Sequence, residues 1–559
     1  MKRRTFLSTA AGFAAGISGI AVTGCSTKKI YDLVITGGTV IDGTGKPGVR
    51  ADVGVKDGRI ALISENIPPA KAVSVIDATG MVVAPGFIDP HTHTDVQLLV
   101  NPKAESKIRQ GVTTEVGGNC GFSYFPLSDL TFEESKSDLE KEFGIDLDWR
   151  DLPGFFTRLG EQGASLNYVT LIGQGNVRSA VIGPYDRPAT EDEIAKMRAY
   201  IRDGMMAGAW GVSSGLEYTP SGFASTDELV ALSEEAAAYG GLYATHMRSE
   251  QSYVIEAIEE AVEISERSGA GLQISHLKAN YRENWDKMDR ILPMITAAND
   301  RGIPLKADRY PYEASSTSLG SLFPMWVREG TADDFVKRLA DPSLDGKLRE
   351  SIGEMERRMD SWENILISSV ISEKNKRFEG STVLDAAKES GKDCYTFMRD
   401  LLIEEEGSVG MVKFGMSEDN LRRVLAHPLV MVGSDGNAVA PYGELARGKP
   451  HPRFYGTFPR VLGRYSREQG VFPLEVAVMK MTSMPADKFG LNGRGRIAVG
   501  AWADIVVFDP GTIIDRATYA DPHQYPAGIS HVIVNGVTVV EGDEHTGALP
   551  GVILKKNDT

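Results

Sequence analysis

The segment 86-GFIDPHTHTD-95 contains the feature that decides how the rest of the chain is interpreted. The apolar run 81-MVVA-84 is interrupted by Pro85 and Gly86, and a short continuation leads to His91 and His93. Residues two apart on a strand point to the same side, so both imidazoles can face one point. Neutral imidazole is a common ligand of zinc and similar ions. The segment therefore predicts a strand that ends in one half of a metal site.

After this segment, short apolar runs alternate with longer amphipathic segments such as 191-EDEIAKMRAYIRDGMMAG-208 and 252-SYVIEAIEEAVEISERSG-269. Strands that alternate with helices are typical of an α/β fold, here a (β/α)8 TIM-type barrel. The eight predicted strands lie at residues 87–91, 114–117, 168–172, 211–214, 242–246, 272–276, 304–308 and 430–434. The interval before the eighth strand is too long for one helix. Residues 320–425 are therefore expected to form an inserted subdomain, which covers one side of the barrel mouth.

The two ends of the chain have a different pattern. The segments 31-YDLVITGGTVIDG-43 and 494-RGRIAVGAWADIVVFD-509 contain short β-branched runs separated by Gly-rich turns. Such runs are typical of antiparallel strands. We expect residues 30–86 and 485–550 to form one composite β-sandwich, and residues 87–484 to form the barrel.

Residues 1–25 have the features of an export signal. Arg3 and Arg4 begin a segment that resembles a twin-arginine signal, and 22-VTGC-25 resembles a bacterial lipoprotein cleavage box with Cys25 as the lipidated residue. The alternative is a membrane-anchoring helix, which the many Gly, Ala, Ser and Thr residues of the run disfavour. We expect an exported protein, a periplasmic or cell-surface lipoprotein that contacts the membrane only through a lipid on Cys25.

The bulk composition limits the possible partners. The chain has 559 residues, a net charge of −16 and three cysteines, Cys25, Cys120 and Cys394. The negative charge argues against nucleic acid as a partner. Three cysteines do not make a disulfide framework, and Cys394 is expected to be structural.

Polar residues stand where the predicted strands end, which is where TIM barrels carry their chemistry. His246 ends the fifth strand, His276 ends the sixth, Cys120 follows the second in 117-GGNCG-121, and Asp435 follows the eighth in 433-GSDG-436. Four of the nine histidines lie at such ends, which favours a site for one or two metals. A buried inert thiol at Cys120 and a turn residue at Asp435 are the alternatives.

Longer motifs identify a family. The segments 111-GVTTEVGGNCGFS-123, 210-WGVSSGLEY-218, 310-YPYEASSTSL-319 and 449-KPHPRFYGTFPRVL-462 resemble the N-acyl-D-amino-acid deacylase (D-aminoacylase) family of the amidohydrolase superfamily. The similar motifs run from about residue 31 to residue 545. The resemblance implies zinc-dependent hydrolysis of N-acyl-D-amino acids, which are small-molecule substrates, to a carboxylate and a free D-amino acid.

The resemblance also implies a particular metal centre. Many amidohydrolases use a lysine on the fourth strand, but 211-GVSSGLEY-218 has none. In this family a cysteine after the second strand takes its place, and Cys120 matches it. Cys120, His246 and His276 would hold one zinc ion tightly, and His91 and His93 would complete a second, weaker site that shares Cys120.

Roles for the remaining residues follow from the same resemblance. Asp435 would act as the general base and then as the general acid. The family's substrates carry a free α-carboxylate, which a guanidinium can bind with two parallel hydrogen bonds. Arg453 suits this role, and the further candidates for substrate contact are Lys278, Tyr218, Tyr310 and Ser316.

The chain departs from the family at two positions. Gln174 in 171-LIGQGNVR-178 stands where a histidine is frequent, and 275-SHLK-278 stands where SHHK is frequent. We expect both changes to affect which substrates are accepted more than whether the protein is active. Two alternative activities remain open, namely hydrolysis of dipeptides with a C-terminal D-residue and opening of cyclic amides of the hydantoin or dihydropyrimidine type. An exported binding lipoprotein without catalysis is a third possibility.

Overall fold

A computed structural model describes residues 28–558, so the predicted export signal and Cys25 lie outside the described residues. The strands, in chain order, are β1 (Tyr31–Val40), β2 (Val49–Lys56), β3 (Arg59–Ser64), β4 (Ala72–Asp77), β5 (Val82–Pro85), β6 (Phe87–Asp89), β7 (Val112–Gly117), β8 (Asn167–Thr170), β9 (Ile172–Gly173), β10 (Gly211–Gly215), β11 (Leu242–His246), β12 (Gly271–Ile274), β13 (Lys306–Arg309), β14 (Ala314–Ser318), β15 (Ile365–Ser369), β16 (Gly410–Phe414), β17 (Val430–Val432), β18 (Ile505–Phe508), β19 (Ile529–Val534), β20 (Val537–Glu541) and β21 (Glu544–His545).

The helices lie mostly between the strands of the middle region. They are α1 (Gln97–Val100), α2 (Glu105–Ile108), α3 (Phe132–Phe143), α4 (Leu152–Gln162), α5 (Gln174–Ile182), α6 (Glu191–Ala207), α7 (Thr226–Ala238), α8 (Val254–Ser268), α9 (Met288–Asp300), α10 (Ala332–Ala340), α11 (Asp345–Met359), α12 (Val383–Glu389), α13 (Cys394–Glu404), α14 (Glu418–Ala426), α15 (Arg453–Arg460), α16 (Leu474–Met481) and α17 (Ser483–Phe489). The two amphipathic segments expected to be helices correspond to α6 and α8.

Eight parallel strand positions form the barrel. One run of paired strands is β6–β7–β8, and the other is β9–β10–β11–β12–β13–β17. β8 and β9 are two parts of one strand position, separated by a single residue, and a parallel bridge between Thr92 and Gly436 links the first position to the eighth. Buried apolar side chains from these strands and from the surrounding helices form the largest core of the molecule. All eight predicted barrel strands are present, with ends displaced by a few residues.

Both ends of the chain contribute to a second sheet of nine strands. Its order is β21–β20–β19–β18–β5–β1–β2–β3, and β4 also pairs with β1. The central junction is the antiparallel pair of β5 and β18, which joins residues 82–85 to residues 505–508. The composite arrangement expected from the sequence is therefore present.

A glycine connects this sheet to the barrel. Gly86 lies between β5 and β6, and its backbone N–H donates to the carbonyl of Asp504 at 2.8 Å. A Cβ atom at Gly86 would lie 2.2 Å from Oγ1 of Thr113, so the close approach of β7 requires glycine. This contact fixes where the first barrel strand begins, and hence where His91 lies.

The inserted segment has its own core and its own three-stranded sheet. β14, β16 and β15 pair in that order, and aromatic and aliphatic side chains between residues 319 and 411 pack together with Tyr281. The sheet begins at Ala314, before the expected start at residue 320, because β14 follows β13 after a short turn. Among residues 28–558, no helix has the length and apolar character needed to cross a bilayer.

Candidate active site and metal centre

Cys120 lies at the centre of the polar residues that follow the barrel strands. Among the described residues, its Sγ belongs to two groups of possible metal ligands, one with His91, His93 and Asp435 and one with His246 and His276. In each group the ligand atoms lie within 4.8 Å of one another. The structure thus brings together all five predicted metal ligands and the predicted catalytic carboxylate.

The spacing of these atoms fits zinc. Sγ of Cys120 lies 3.3 Å from Nε2 of His91 and 3.6 Å from Nε2 of His276. Sulfur and nitrogen ligands at zinc bonding distances and tetrahedral angles are separated by roughly 3.5 Å. Burial alone would raise the pKa of the Cys120 thiol, but His91 and hydrogen bonds with His246 and His276 together hold that pKa well below its usual value. A thiolate with imidazole neighbours is a donor set that zinc prefers.

His91 and His93 lie beyond their strand rather than on it. β6 ends at Asp89, and the chain bends at Pro90 and His91 before Thr92, whose backbone N–H donates to Val116. The two rings still face the same group, with centroids 5.5 Å apart. The expected position of this pair on the strand was therefore wrong, whereas the expected convergence of its side chains is confirmed.

Asp435 lies between the first histidine pair and a guanidinium. Its Oδ1 is 3.0 Å from Nε2 of His93 and 3.4 Å from Nε2 of His91, and its Oδ2 is 2.9 Å from Nη1 of Arg453. Burial would raise the pKa of this carboxyl, but Arg453, followed by His276 and His91, holds the pKa well below its usual value. Asp435 is therefore ionised at neutral pH, as a general base must be.

Two of the substrate-contact candidates form an incomplete binding site next to Asp435. Arg453 and Tyr310 are buried, and the guanidinium lies 4.7 Å from the centre of the Tyr310 ring. Nε of Arg453 and the hydroxyl of Tyr310 have no hydrogen-bond partner among residues 28–558. Buried donors without partners are costly, so this arrangement fits a ligand that supplies acceptors.

Two further candidates border the same region. The backbone carbonyl of Ser316 accepts a hydrogen bond of 3.4 Å from Nη2 of Arg453, so Ser316 contributes through its main chain. Tyr218 packs edge-on against His246 with ring centroids 4.9 Å apart, and its hydroxyl accepts a hydrogen bond from Thr317 at 3.2 Å.

Lys278 is buried, and polar groups surround its ammonium. Nζ donates to Glu250 and to the backbone carbonyl of His276, and it lies 2.7 Å from Nδ1 of His276. Its contact with a substrate stays a prediction.

Three carboxylates around the histidines were missed in the sequence. Oδ1 of Asp308 lies 3.1 Å from Nδ1 of His91, Oε1 of Glu250 lies 2.8 Å from Nδ1 of His276, and Oε2 of Glu217 lies 3.6 Å from Nε2 of His246. Each of them stands at or just after the end of a predicted strand, which is the signal that could have identified them.

Other residues singled out in the sequence lie outside the metal groups. Gln174 is buried and donates to Glu228 at 3.0 Å, and it accepts a hydrogen bond from Ser221. Cys394 begins α13 in the inserted segment. Neither residue belongs to a group that could hold a metal among the described residues.

Known proteins match this chain over almost its whole length. The sequence matches the amidohydrolase family model over residues 74–310 and 391–540. It is 37% identical over 539 residues to a D-aminoacylase of Alcaligenes xylosoxydans xylosoxydans, covering 95% of this chain and 99% of that protein. An N-acyl-D-glutamate deacylase of the same organism is 37% identical over 531 residues, with 95% and 98% covered. An N-acyl-D-aspartate deacylase, also from that organism, is 34% identical, with 94% and 95% covered.

Solved structures give the same result. An N-acyl-D-glutamate deacylase of Bordetella bronchiseptica, in complex with zinc and a phosphonate that mimics the tetrahedral intermediate, has a TM-score of 0.80 at 35% identity. A D-aminoacylase studied for its binuclear metal centre has a TM-score of 0.79 at 36% identity. Each alignment covers 94% of this chain and all of the solved chain.

Proposed function

The chain belongs to the D-aminoacylase family of the amidohydrolase superfamily, and from this premise we propose that it hydrolyses the amide bond of N-acyl-D-amino acids in a zinc-dependent reaction. The observation that carries the proposal is the shared thiolate of Cys120, which joins two histidine groups directly beside Asp435. The products would be a carboxylate and a free D-amino acid.

The zinc ligands would be Cys120, His246 and His276 at one site, with His91 and His93 completing a second site through the same thiolate. A zinc ion held by these residues would polarise the amide carbonyl and lower the pKa of water towards 7. We propose that one site is tight and the other weaker. The distances between sulfur and nitrogen in both groups support this assignment of ligands.

Asp435 would move the proton. Its ionised carboxylate accepts a proton from the attacking water and returns it to the leaving nitrogen as the carbon–nitrogen bond breaks. The proton return matters because an unprotonated amine anion is a very poor leaving group. The orientation of Asp435 towards His91 and His93 on one side and Arg453 on the other supports this role.

Arg453 would bind the α-carboxylate of the substrate, together with the hydroxyl of Tyr310. The unpartnered donors of these two side chains support the assignment. Tyr218 and the backbone of Ser316 border the same space, and Lys278 would act through its contact with Glu250.

Turnover measurements test the proposal. Zinc-loaded protein is assayed on matched N-acetyl-D- and N-acetyl-L-amino acids with neutral side chains and with Glu and Asp side chains. Dipeptides with a C-terminal D-residue and a hydantoin complete the panel. We expect free D-amino acid from at least one side-chain class and little product from the L series. Exclusive turnover of the hydantoin, or equal turnover of both series, would contradict the proposal.

We also propose that residues 1–25 direct export and that Cys25 carries a lipid. Replacement of Arg3 and Arg4 by lysine should keep the protein in the cytoplasm of a Gram-negative host. Cys25→Ala should release it from the membrane fraction. Membrane association that survives Cys25→Ala would instead favour the anchoring helix.

A further inference from the structure

We infer that Glu250 is a positioning residue that orients both histidines of the Cys120–His246–His276 group, an inference that rests on the proposed function. Glu250 lies four residues after His246, the last residue of β11, and it is buried. One of its oxygens faces His276 and the other faces His246. A single carboxylate thus contacts ligands from two neighbouring strands.

The contact with His276 fixes which nitrogen is free for the metal. Nδ1 lies 2.8 Å from Oε1 of Glu250 and 2.7 Å from Nζ of Lys278, and Nε2 lies 3.6 Å from Sγ of Cys120. Lys278 can only donate, and it already donates to Glu250 and to the carbonyl of His276, so of the two groups only Glu250 can accept a hydrogen from Nδ1. A neutral imidazole carries one N–H, so a ring that ligates through Nε2 has its hydrogen on Nδ1 and can donate it to Glu250. A carboxylate acceptor stabilises this tautomer and makes Nε2 a stronger ligand.

In His246 the nitrogen that faces Glu250 is Nε2, whereas in His276 it is Nδ1. Nε2 of His246 is buried without a hydrogen-bond partner among the described residues, and it lies 3.8 Å from Oε2 of Glu250 and 3.6 Å from Oε2 of Glu217. A ring that ligates through Nδ1 carries its hydrogen on Nε2. The two carboxylates are the acceptors in reach of that hydrogen.

This assignment also explains a third group of possible ligands. Oxygen atoms of Glu217 and Glu250 and a nitrogen of His246 lie within 4.8 Å of one another. A metal ion there would need Nε2 of His246 without its proton while Nδ1 is already engaged. The group is therefore better explained as hydrogen bonding around a metal-ligating ring than as a third metal site.

Glu250 is itself held in place by its neighbours. Lys278 donates to Oε1, and the backbone N–H of Glu250 donates to Oε1 of Glu217 at 3.1 Å. The backbone N–H of Asn280 donates to the carbonyl of Glu250 at 2.7 Å. A carboxylate restrained on its side chain and its main chain can orient two rings without moving between them.

The effect should be confined to one metal group. His91, in the other group, has a different acceptor, because its Nδ1 lies 3.1 Å from Asp308. Loss of the Glu250 carboxylate should therefore weaken binding of the metal held by His246 and His276. The contact between His91 and Asp308 should remain unchanged.

Metal binding in the absence of substrate tests the inference, so its result does not depend on the activity. The variant is Glu250→Gln, which keeps the shape but leaves one acceptor oxygen where two are needed. The zinc affinity is measured by competition with a chelator, and the cobalt-substituted protein is examined by its thiolate-to-cobalt absorption band. We expect about 10- to 100-fold weaker zinc binding and a shifted cobalt spectrum.

Two further variants make the result decisive. Glu228→Gln removes another buried barrel carboxylate, one that pairs with Arg178 and contacts none of the metal ligands, and it should bind zinc like the wild type. Glu250→Gln with Lys278→Met leaves no unpaired buried charge, and its zinc binding should remain weak. Wild-type affinity in a folded Glu250→Gln protein, or recovery of the affinity in the double variant, would overturn the inference. If Glu250→Gln alone fails to fold, the double variant decides.

Discussion

Three residues of the active site have backbone conformations that side chains other than glycine rarely adopt. The φ angles of Cys120, His276 and Asp435 are 52°, 36° and 49°, all in the left-handed region. Such conformations cost free energy and persist where the surrounding structure enforces them, frequently at functional sites. Here they turn three side chains from three strand positions towards one point. Asp and His adopt this region more often than most residues do, but the sequence does not show that these particular positions require it.

Replacement of Asp435 tests its role as the proton carrier. Asp435→Asn keeps the shape of the side chain but cannot accept the proton of water, so kcat should fall by about 100- to 10,000-fold. Zinc content, measured on the same protein, should remain that of the wild type. A variant with normal turnover, or one that loses its metal together with its activity, would argue against this role.

Replacement of Arg453 tests carboxylate binding. Arg453→Lys keeps the charge but loses the planar pair of donors, so kcat/KM for an N-acetyl-D-amino acid should fall by about 10- to 100-fold. An N-acyl amine that lacks the α-carboxylate should be hydrolysed equally slowly by both proteins. If the variant is impaired equally on both substrates, Arg453 acts through its contact with Asp435 rather than on the substrate.

At the scale of secondary structure, the inserted segment contributes directly to the barrel mouth through β14. Ser316 and Thr317 lie on this strand, and they contact Arg453 and Tyr218 of the barrel. The inserted segment therefore supports two side chains that are expected to contact the substrate. An insertion between the last two barrel strands can in this way adjust substrate binding without changing the metal ligands.

The hydrogen bond between Thr317 and Tyr218 can be tested separately. Thr317→Val removes the hydroxyl and leaves Tyr218 less restrained, so KM should rise roughly two- to threefold with kcat unchanged. Thr317→Ser keeps the hydroxyl and should behave like the wild type. Identical KM values for the valine and serine variants would contradict a contribution of this contact.

The elements were more predictable from the sequence than their contacts. Alternation of apolar runs and amphipathic segments predicted eight barrel strands, and strand ends predicted the five candidate metal ligands that the structure brings together. Glu250 and Asp308 were missed because their importance depends on which histidine they face across a strand boundary. The contact of Lys278 with Glu250 was missed for the same reason, since periodicity within a strand says nothing about the neighbouring strand.

At the scale of the whole molecule, both ends of the chain hold the barrel together. The sheet that joins β5 and β18 leads directly into the first barrel strand. Near the other terminus, the backbone N–H of Tyr168 donates to Val552 at 3.0 Å, that of Leu554 donates to Tyr168 at 2.8 Å, and the indole of Trp210 donates to Leu554 at 2.7 Å. Residues distant in sequence thus contact the first, third and fourth barrel strands, and we expect stability to respond to changes far from the site.

One such change concerns a buried lysine at the opposite end of the barrel. Nζ of Lys480 donates to the backbone carbonyls of His427 at 2.6 Å and Val430 at 2.9 Å, where β17 begins. Burial, followed by the nearby charge of Lys306, lowers the pKa of Lys480 to about 7 from the 10.5 of an ordinary lysine. Below pH 7 both the folded and the unfolded chain hold this proton, and the penalty for the buried charge is fully present.

Between about pH 7 and pH 10.5 the unfolded chain holds the proton and the folded protein does not, so stability should rise with pH. The unfolding free energy of the wild type should increase by about 1.4 kcal/mol per pH unit relative to Lys480→Met, because one proton is involved. Urea denaturation across this range measures the difference, and Lys196→Met, at an exposed position on α6, should remain parallel to the wild type. If the Lys480→Met curve also remained parallel, the ammonium would stay charged in the folded barrel, and its two carbonyl partners would compensate for its burial.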